Sequence, residues 1–349
     1  MFCEAESLFF DPDPVFDPAV VFDIDLVFDL DLLFDLGTRV SVNPRLCVEH
    51  FLDDSFMATV LQHTNEELQR RRQKRTDQQL VCYEDFDLLE IIACIGLLII
   101  AGVMSSKGES PELMWSETFG PPILRATMPL KRFMLFLFSA RFDDKCTRKE
   151  RVKSDKLAAI RSVFDAFAAK CRNSYRPSSF VCVDETLVGF RGRCPFRVYI
   201  PSKPDRYGIK IWPMCDNGTN YICNLQAYLG KVGSAVERHQ GARVVADLAE
   251  PLFGSGRNIT IDNFFTSYAL GQTMLSKNPT ILGTIRKNKT ELPQSFVPAR
   301  RPEHESTFGF TADTTLVSYA PKKNKSVRCC LQCTTDPMWT QTGKDVSLA

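Results

Sequence analysis

Two short apolar stretches in the second half of the chain each end in an aspartate. Phe180–Val183 is apolar throughout and is followed directly by Asp184, while over 258–265 isoleucines alternate with polar residues up to Asp262. A short unbroken apolar run is typical of a buried strand, and strict alternation predicts a strand with one buried face. The pattern therefore predicts two strands that each carry an acid at the carboxyl end.

The residues between these two stretches predict further strands and one helix. Strand-like runs cover 209–216 and 221–229, and over 242–252 the apolar positions recur with the helical period. Gly189 and Gly192 mark a turn after the first acid. The resulting order, β-β-β-α-β with an acid on the first strand and another on the fourth, matches a ribonuclease-H-like (retroviral-integrase-like) core. We therefore predict an α/β fold.

The first half of the chain has helical periodicity instead. The segments with this pattern are 51–80, 88–104, 115–119, 129–142 and 155–171. Segment 88–104 is the most apolar, but it is too short to span a bilayer comfortably and predicts a buried core helix. Because a turn around Pro177 precedes the first acidic strand, we predict three parts: an acidic leader, 1–40; a helical region, 41–178; and an α/β core, 179–349.

The leader, 1–40, is a repeat. Phenylalanine recurs every six residues from Phe10 to Phe34, and an aspartate follows each one. An even period suits an amphipathic strand, but so regular a hexad is also what an expanded short DNA repeat gives when it is translated. We expect a disordered or association-prone segment that is dispensable for folding; the alternative is an interaction arm.

Charge is unevenly distributed along the chain. The protein has a net charge of +1, yet the leader holds ten acidic residues and one arginine, so the remainder is basic. A basic body favours a nucleic-acid partner over a membrane, although an ordinary surface can have a similar balance. The run 70–75 is either a nuclear-import or phosphate-binding patch or a solvated helix face.

The 13 cysteines show no disulfide framework, so we expect an intracellular protein, nuclear if it binds DNA.

Several blocks of the sequence resemble successive blocks of the piggyBac-type DNA transposases, in the same order and with similar spacing. They read VDETLVGFRGRCPFRVYIPSKPDRYGIK, CDNGTNY, AYLGK, NITIDNFFTS, ILGTIRKNK and TLVSYAPKK. The resemblance implies that Asp184 and Asp262 match the first two aspartates of the family's metal-binding catalytic set. The third lies in a block reading roughly YN-x-x-KGGVD, which this sequence does not contain, so we expect a core that is incomplete at its C-terminus. The resemblance also implies that the helical region contributes to dimer contacts and DNA binding.

Asp184 and Asp262 are the candidate catalytic and metal-binding residues. Two Mg²⁺ or Mn²⁺ ions held by carboxylates can activate the nucleophile and stabilise the leaving oxygen in phosphodiester cleavage. With two acids in place of three, we expect the cation to be held weakly. Glu185 is no ready substitute, because its side chain should point to the opposite face of the strand. Asp216 and Asp247 match no motif and are interpreted as turn or cap residues.

A group of basic residues follows Asp184 in the sequence and is the candidate DNA-binding surface. Its members are Arg191, Arg193, Arg197, Lys203, Arg206 and Lys210. Guanidinium and ammonium groups next to a metal site are suited to a phosphate backbone. The alternative is that they balance local acids. The predicted partner is DNA, as transposon terminal repeats or degenerate targets, and a homodimer is a further possibility.

Three functions remain open. The chain has no Walker loop, GxSxG or HExxH motif, so nucleotide-hydrolase, esterase and zinc-protease chemistry is not predicted. One hypothesis is an active transposase that obtains a third carboxylate as part of a longer product. The second, which we favour, is a transposase-derived protein that binds DNA without transposing it. The third is a transposon relic whose core folds poorly.

Overall fold

The computed structural model describes residues 44–73, 83–104, 106, 108–231, 237–296, 302–323 and 325–332. The leader and the end of the basic run, Lys74 and Arg75, lie outside these residues. The described residues form two compact units, one made of 44–167 with 188–209 and the other of 168–187 with 210–332. The three-part division expected from the sequence stays a prediction.

Helices make up most of the first unit. They are α1 Pro44–Phe51, α2 Asp54–Gln73, α3 Leu88–Val103, α4 Pro111–Met114, α5 Pro122–Thr127, α6 Leu130–Ser139 and α7 Lys145–Ser154, and α8 Arg161–Ser174 continues into the second unit. Helices α2, α3 and α6 contact one another. Their buried side chains include Leu68, Leu97 and Phe136, so the apolar faces predicted from the sequence form a core.

Two of the predicted helices start later than expected, and in each case an aspartate side chain that precedes the helix binds a backbone amide. The prediction over 51–80 was one helix, but the chain breaks before α2 because the Asp53 carboxylate accepts a hydrogen bond from the Phe56 amide at 2.9 Å. The prediction over 155–171 was also too long. Its first residues form a turn, because the Asp155 carboxylate accepts from the Leu157 amide at 2.9 Å and from Arg161, where α8 begins. Aspartate competes for backbone amides in this way and so favours helix starts.

The helix expected over 115–119 was wrong. This segment is a turn between α4 and α5, in which the Ser116 hydroxyl accepts a hydrogen bond from the Thr118 amide at 3.2 Å. Trp115, just before it, is anchored in the core by its indole N–H, which donates to the Met128 carbonyl at 2.8 Å. The apolar spacing therefore indicated burial correctly for Trp115 but not for Phe119, which is 76% exposed.

Helix α3 is buried on one side only. Its start is closed by a capping box, in which Asp87 accepts from the Glu90 amide at 2.7 Å and the Glu90 carboxylate accepts from the Asp87 amide at 3.2 Å. Ile91 and Leu97 are buried, whereas Leu89 is 76% exposed, so the expected fully buried core helix was only partly right. Among the described residues, no helix has the length and apolarity needed to cross a membrane. A contribution of this region to dimer contacts stays a prediction.

Strands dominate the second unit, although β3, the end of β2 and the start of β4 fall within 188–209, which belongs to the first unit. The strands in chain order are β1 Phe180–Val183, β2 Thr186–Gly189, β3 Val198–Tyr199, β4 Tyr207–Asp216, β5 Ile222–Ala227, β6 Asn258–Ile261, β7 Thr280–Thr284, β8 Ser306–Phe310, β9 Thr314–Lys322 and β10 Lys325–Gln332. Two helices belong to this unit, α9 Gln240–Ala249 and α10 Tyr268–Ser276. Helix α9 contacts β5, and α10 contacts β7 and β10. The predicted β-β-β-α-β order is thus present, with additional strands.

The central part of this sheet has the order β5-β4-β1-β6-β7, followed by β10, β9 and β8. Strands β1, β6 and β7 are parallel to one another, whereas β4 runs antiparallel to β1 and to β5. Val183 is the register partner of Ile261, which in turn is the partner of Gly283. The carboxyl ends of three neighbouring strands are therefore level at one edge of the sheet.

The first unit also contains a buried ionic cluster. The Glu67 carboxylate is almost fully buried, and it accepts from Arg141, whose side chain is entirely buried, at 3.1 Å and from Lys145 at 3.0 Å. Arg70 and Arg71 of the same helix also pair with Glu67. The described part of the basic run is thus engaged with an acid, which supports a structural role for it.

We predict that Glu67→Gln destabilises the protein by about 3 kcal/mol or more, because it leaves the Arg141 guanidinium buried without a countercharge. Urea unfolding measures the change. Glu66→Ala is the matched control: Glu66 is a more exposed neighbour paired with His63 and Arg70, so its loss should cost less than about 1 kcal/mol. Equal effects of the two substitutions would contradict the assignment.

The stability difference between the wild type and Glu67→Gln should also depend on pH. Burial raises the pKa of the Glu67 carboxyl, but the charges of Arg141 and Lys145 outweigh burial and hold the pKa below its ordinary value of 4.5. A lowered pKa contributes stability above the unfolded value and loses it as the pH falls through the folded value. The stability difference between wild type and Glu67→Gln should therefore narrow below about pH 4.5.

Candidate functional site

The two predicted acids lie side by side. Asp184 follows β1 and Asp262 follows β6, and these parallel strands are paired in register up to Val183 and Ile261. Neighbouring strands are about 4.8 Å apart, so the two carboxylates project from adjacent positions at the same edge. Both residues are exposed, while the residues that precede them are buried. The structure thus brings together the pair that the sequence identified.

A tight turn holds Asp262 in place. Its carbonyl oxygen accepts hydrogen bonds from the amides of Phe265 and Thr266 and, at 2.9 Å, from the Thr266 hydroxyl. The Asp262 carboxylate itself accepts a hydrogen bond from the Thr284 hydroxyl, at 3.2 Å, from the end of β7. Because the backbone is anchored, the carboxylate is presented to solvent at a defined position.

Close approach of β7 to this turn requires a glycine. A Cβ atom on Gly283 would lie 2.7 Å from the Ile261 carbonyl oxygen and 2.3 Å from the Thr266 hydroxyl oxygen. Contacts this short do not occur for real Cβ atoms, so any side chain at this position would push β7 away. Gly283 therefore allows Thr284 to reach Asp262.

An aromatic ring with two cations lies next to the acids. The Lys210 ammonium is 4.9 Å from the centre of the Phe264 ring, and the Arg286 guanidinium is 5.9 Å from it. Lys210 also donates to the Glu185 carboxylate at 2.9 Å, and Arg286 donates to the Asn263 amide oxygen at 2.8 Å. Lys210 is thus partly neutralised by Glu185, as the charge-balance alternative required. Arg286 is exposed, and the amide that it binds carries no charge.

The other predicted DNA-binding residues lie in the first unit, in the segment 188–209. Arg191 and Arg193 are exposed, and within the described chain their side chains make no ion pair or hydrogen bond. Arg197 donates to the carbonyl oxygens of Arg191, at 2.7 Å, and Gly192, at 2.8 Å, so it stabilises the loop. Lys203 is half-buried. Arg191 and Arg193 are therefore the members of the group most available to a phosphate.

The pKa of one thiol near the acids is shifted. Cys182 and Cys215 are register partners on β1 and β4. A hydrogen bond with the Cys215 thiol lowers the pKa of Cys182 to about 7, against the opposing effects of burial and of the Asp184 charge. This thiol pair was not identified from the sequence, since no motif relates the two cysteines.

Asp216 has the structural role that was expected. It is buried, and its carboxylate accepts from the amides of Ser178, at 2.6 Å, Gly218, at 2.8 Å, and Thr219, at 3.0 Å. Burial raises the pKa of this carboxyl, but these hydrogen bonds outweigh burial and hold it below the usual range. Asp247 pairs with Arg243 on α9 at 2.6 Å, which also agrees with a structural interpretation.

Comparison with known proteins gives matches to transposases and to a protein named as transposable element-derived. A family model described as Transposase IS4 matches residues 43–345. The human piggyBac transposable element-derived protein 3 is 28% identical over 167 residues, which are 46% of this chain and 28% of that protein. The human chimeric ERCC6-PGBD3 protein is also 28% identical over 167 residues, 46% of this chain and 16% of that protein.

A solved structure matches over a longer range. A chain from the cryo-EM structure of a piggyBac transposase synaptic complex with hairpin DNA has 36% sequence identity and a TM-score of 0.80, and the match covers 87% of this chain. The chain belongs to the piggyBac-type transposases. The match confirms the α/β fold with a ribonuclease-H-like core. The present chain spans 63% of that transposase chain and smaller shares of the two human proteins.

The residues at the acidic edge of this piggyBac-type core provide some of the ligands that a divalent cation requires. Asp184 and Asp262 provide exposed carboxylate oxygens at one edge, which are the donors that Mg²⁺ and Mn²⁺ prefer. Among the described residues, no group of three or more His, Cys, Asp or Glu side chains is arranged to hold a metal ion. The two aspartates would therefore hold one cation, with water completing its shell.

Three residues of the edge were missed by sequence reasoning: Thr284, Phe264 and Arg286. Each lies in a block that was used to detect the piggyBac resemblance, NITIDNFFTS or ILGTIRKNK. The signal that could have found Thr284 and Arg286 is β7 itself. A second strand parallel to β6 places the residues after it at the same edge.

We predict that Mn²⁺ binds at Asp184 and Asp262 and that Asp184→Ala weakens binding at least tenfold, as measured by calorimetric titration. Asp262→Ala should have the same effect. Asp247→Ala is the control, because it removes an equally exposed carboxylate of the same unit whose partner is Arg243. Unchanged binding in Asp184→Ala would rule out the site.

Proposed function

We propose that this chain is a piggyBac transposase-derived DNA-binding protein that holds a divalent cation at Asp184 and Asp262 but does not transpose DNA by itself. The observation that carries the proposal is the register of β1 with β6, which aligns the two acids at one edge. A protein with this role acts in the nucleus, where its DNA partner is found.

Contact with the DNA backbone is supported by the unpaired arginines. Arg191 and Arg193 are exposed, and in the described chain no carboxylate neutralises them. Free guanidinium groups bind phosphate oxygens with charge-assisted, often bidentate hydrogen bonds. Each such contact releases counterions from the DNA, which makes the affinity sensitive to salt. The likeness to a transposase solved in a complex with hairpin DNA supports the same partner.

Contact beside the acids is supported by Phe264. Its ring is half-exposed and has the Lys210 ammonium and the Arg286 guanidinium within about 6 Å of its centre. Aromatic faces combined with cations are the usual surface for an unpaired nucleotide, because every base has a flat face to stack. We therefore assign Phe264 to a nucleotide next to the phosphate at the acids, with Arg286 on that phosphate or its neighbour.

The absence of transposition is supported by the number of carboxylates at the edge. When bound, divalent cations supply charge stabilisation for the attacking and leaving oxygens. Two aspartates are present at the described edge, whereas the piggyBac-type catalytic set has three. The residues present at this edge are suited to binding and orienting DNA. Thr284 holds the Asp262 carboxylate in position, and the exposed Arg286 supplies positive charge for a phosphate.

We predict that excision of terminal-repeat DNA by this chain is lower by orders of magnitude than by a version extended with a relative's further C-terminal part. Each lost 1.36 kcal/mol of transition-state stabilisation costs tenfold in rate, and one missing metal ligand removes several kcal/mol. A cell-based excision assay measures the difference. The extended version carrying Asp184→Asn is the control and should be inactive. Excision by the unextended chain would overturn the proposal.

We also predict that the double substitution Arg191→Ala, Arg193→Ala lowers the slope of log affinity for duplex DNA against log salt by about two. Fluorescence anisotropy over a range of salt concentrations measures the slope. The control is Arg243→Ala, because this exposed arginine pairs with Glu237 and Asp247 and should change the slope little. A slope that the double substitution leaves unaltered would assign both arginines a structural role.

A further inference from the structure

The second unit contains a pocket away from the acids. Its volume is about 250 Å³, and Pro177 and Arg257 are among the residues that line it. Pro177 precedes β1 and Arg257 precedes β6, so this side of the pocket lies at the amino-terminal edge of these parallel strands, while Met214 of β4 reaches the pocket from the register position of Val183. Asp184 and Asp262 lie at the carboxyl edge. Four residues of strand separate the two edges by about 13 Å, so one phosphate cannot occupy both sites.

Three arginines line this pocket: Arg172, Arg176 and Arg257. Among the described residues, no carboxylate forms an ion pair with any of them, and no acidic residue lines the pocket. The buried Asp216 carboxylate lies nearby, because it accepts from the amide of the peptide group whose Pro177 carbonyl accepts from Arg257. It is also engaged by the amides of Gly218 and Thr219. One carboxylate offsets at most one of the three positive charges, so an excess of positive charge remains, and an anion in the pocket would reduce the repulsion between the arginines.

Two of these arginines are held in place by neutral acceptors. Arg172 donates to the Asn224 side-chain oxygen at 3.0 Å, and Asn224 is itself anchored by donating to the Leu248 carbonyl at 3.0 Å. Arg257 donates to the carbonyl oxygens of Pro177, at 2.9 Å, and Ser178, also at 2.9 Å. These bonds orient the guanidinium groups without removing their charge. The site is thus arranged in advance of binding, which lowers the entropic cost of holding a ligand.

The remaining wall is aromatic and apolar. Tyr175 is stacked on the buried Tyr221, with ring centres 4.4 Å apart, and its hydroxyl accepts from Thr219 at 3.1 Å. Met214 and Leu252 add apolar surface. The Cys223 thiol in the wall adds no negative charge at neutral pH, because burial raises its pKa to about 12. A pocket lined by apolar and aromatic side chains together with arginines suits a ligand with a flat organic part and an anionic group.

The size of the pocket further restricts the range of possible ligands. Its 250 Å³ is larger than an engineered cavity of about 150 Å³ that holds benzene, and close to the lower end, about 300 Å³, of small-molecule pockets. It has room for more than a lone inorganic anion. A single nucleotide unit, with its base or sugar on the apolar wall and its phosphate on the arginines, matches both the size and the chemistry.

We infer that this pocket binds the phosphate ester of one nucleotide, separately from the acidic edge. The ligand is either a free mononucleotide or one nucleotide of a DNA strand, and both present the same phosphate ester. The inference does not rest on the metal site. Arg176 is the decisive residue, because its side chain is exposed and makes no hydrogen bond or ion pair with other described residues. Its substitution can therefore test the pocket without disturbing the fold.

The experiment is calorimetric titration of the full chain with 2′-deoxyadenosine 5′-monophosphate and with a single-stranded decanucleotide, using deoxyadenosine as the ligand without phosphate. We expect Arg176→Ala to weaken binding of the phosphate-bearing probe at least tenfold and Arg176→Lys to weaken it less, because lysine keeps the charge but loses the planar fork. Deoxyadenosine should bind far more weakly and should not respond to Arg176→Ala.

Two further variants distinguish this pocket from the rest of the protein's charged surface. Arg238→Ala removes an exposed arginine that lies outside the pocket lining and makes no hydrogen bond or ion pair with other described residues, so it controls for net charge. Asp184→Asn alters the acidic edge and should leave mononucleotide binding unchanged. An effect of Arg176→Ala on the mononucleotide supports a free nucleotide, and an effect on the decanucleotide alone supports a DNA strand. If Arg176→Ala changes neither probe, or if Arg238→Ala changes them equally, the inference is wrong.

Discussion

The parallel pairing of β1 with β6 is the constraint on which the rest of the second unit depends. These two strands are only four residues long each, and they are distant in the sequence, so local propensity alone cannot align them. The buried side chains of Val181, Val183, Ile259 and Ile261 set the register, because a slip of one residue in either strand would turn that strand's two buried side chains to the opposite face. Because burial determines the register, it also determines that Asp184 and Asp262 become neighbours.

Helix α9 lies between these strands in the chain and makes the parallel connection possible. A parallel pair needs a crossover, and the segment from β5 to β6 supplies it with a helix whose Val244, Val245 and Leu248 are buried. β7 then repeats the arrangement through α10, and Gly283 lets it approach closely enough for Thr284 to bind Asp262. The acidic edge is thus a consequence of two successive crossovers.

Much of this second unit could be predicted from the sequence. The apolar run before Asp184 and the alternation before Asp262 have the strand period, and the structure has both strands at those positions. The pairing of the two acids was accessible because the order of elements, together with the piggyBac resemblance, implied a known sheet. Phe264, Thr284 and Arg286 were missed, because their roles depend on contacts between β6 and β7 that no spacing within one strand reveals.

The first unit was less predictable, for a physical reason. Apolar periodicity reports which residues are buried, but polar side chains that bind backbone amides decide where a helix starts. Asp53, Ser116 and Asp155 each redirected the chain within a segment whose spacing suggested helix. The basic run shows that sequence patterns also do not report side-chain pairing. Arg70 and Arg71 look like part of a free basic patch in the sequence, yet they pair with Glu67 on the preceding turn.

The two ends of β1 and β6 present different exposed groups, and this difference follows from the sheet. Asp184 and Asp262 follow the strands, with Arg286 near them, whereas arginines surround the strand starts, with the Asp216 carboxylate buried beside them. Acids after the strands attract a cation, and arginines before or around the strand starts attract an anion. Placed at one edge, Asp184 and Arg257 would neutralise each other as a salt bridge and neither could serve a ligand. Four residues of intervening strand keep them about 13 Å apart, which is too far for a salt bridge, so both side chains remain available to a ligand.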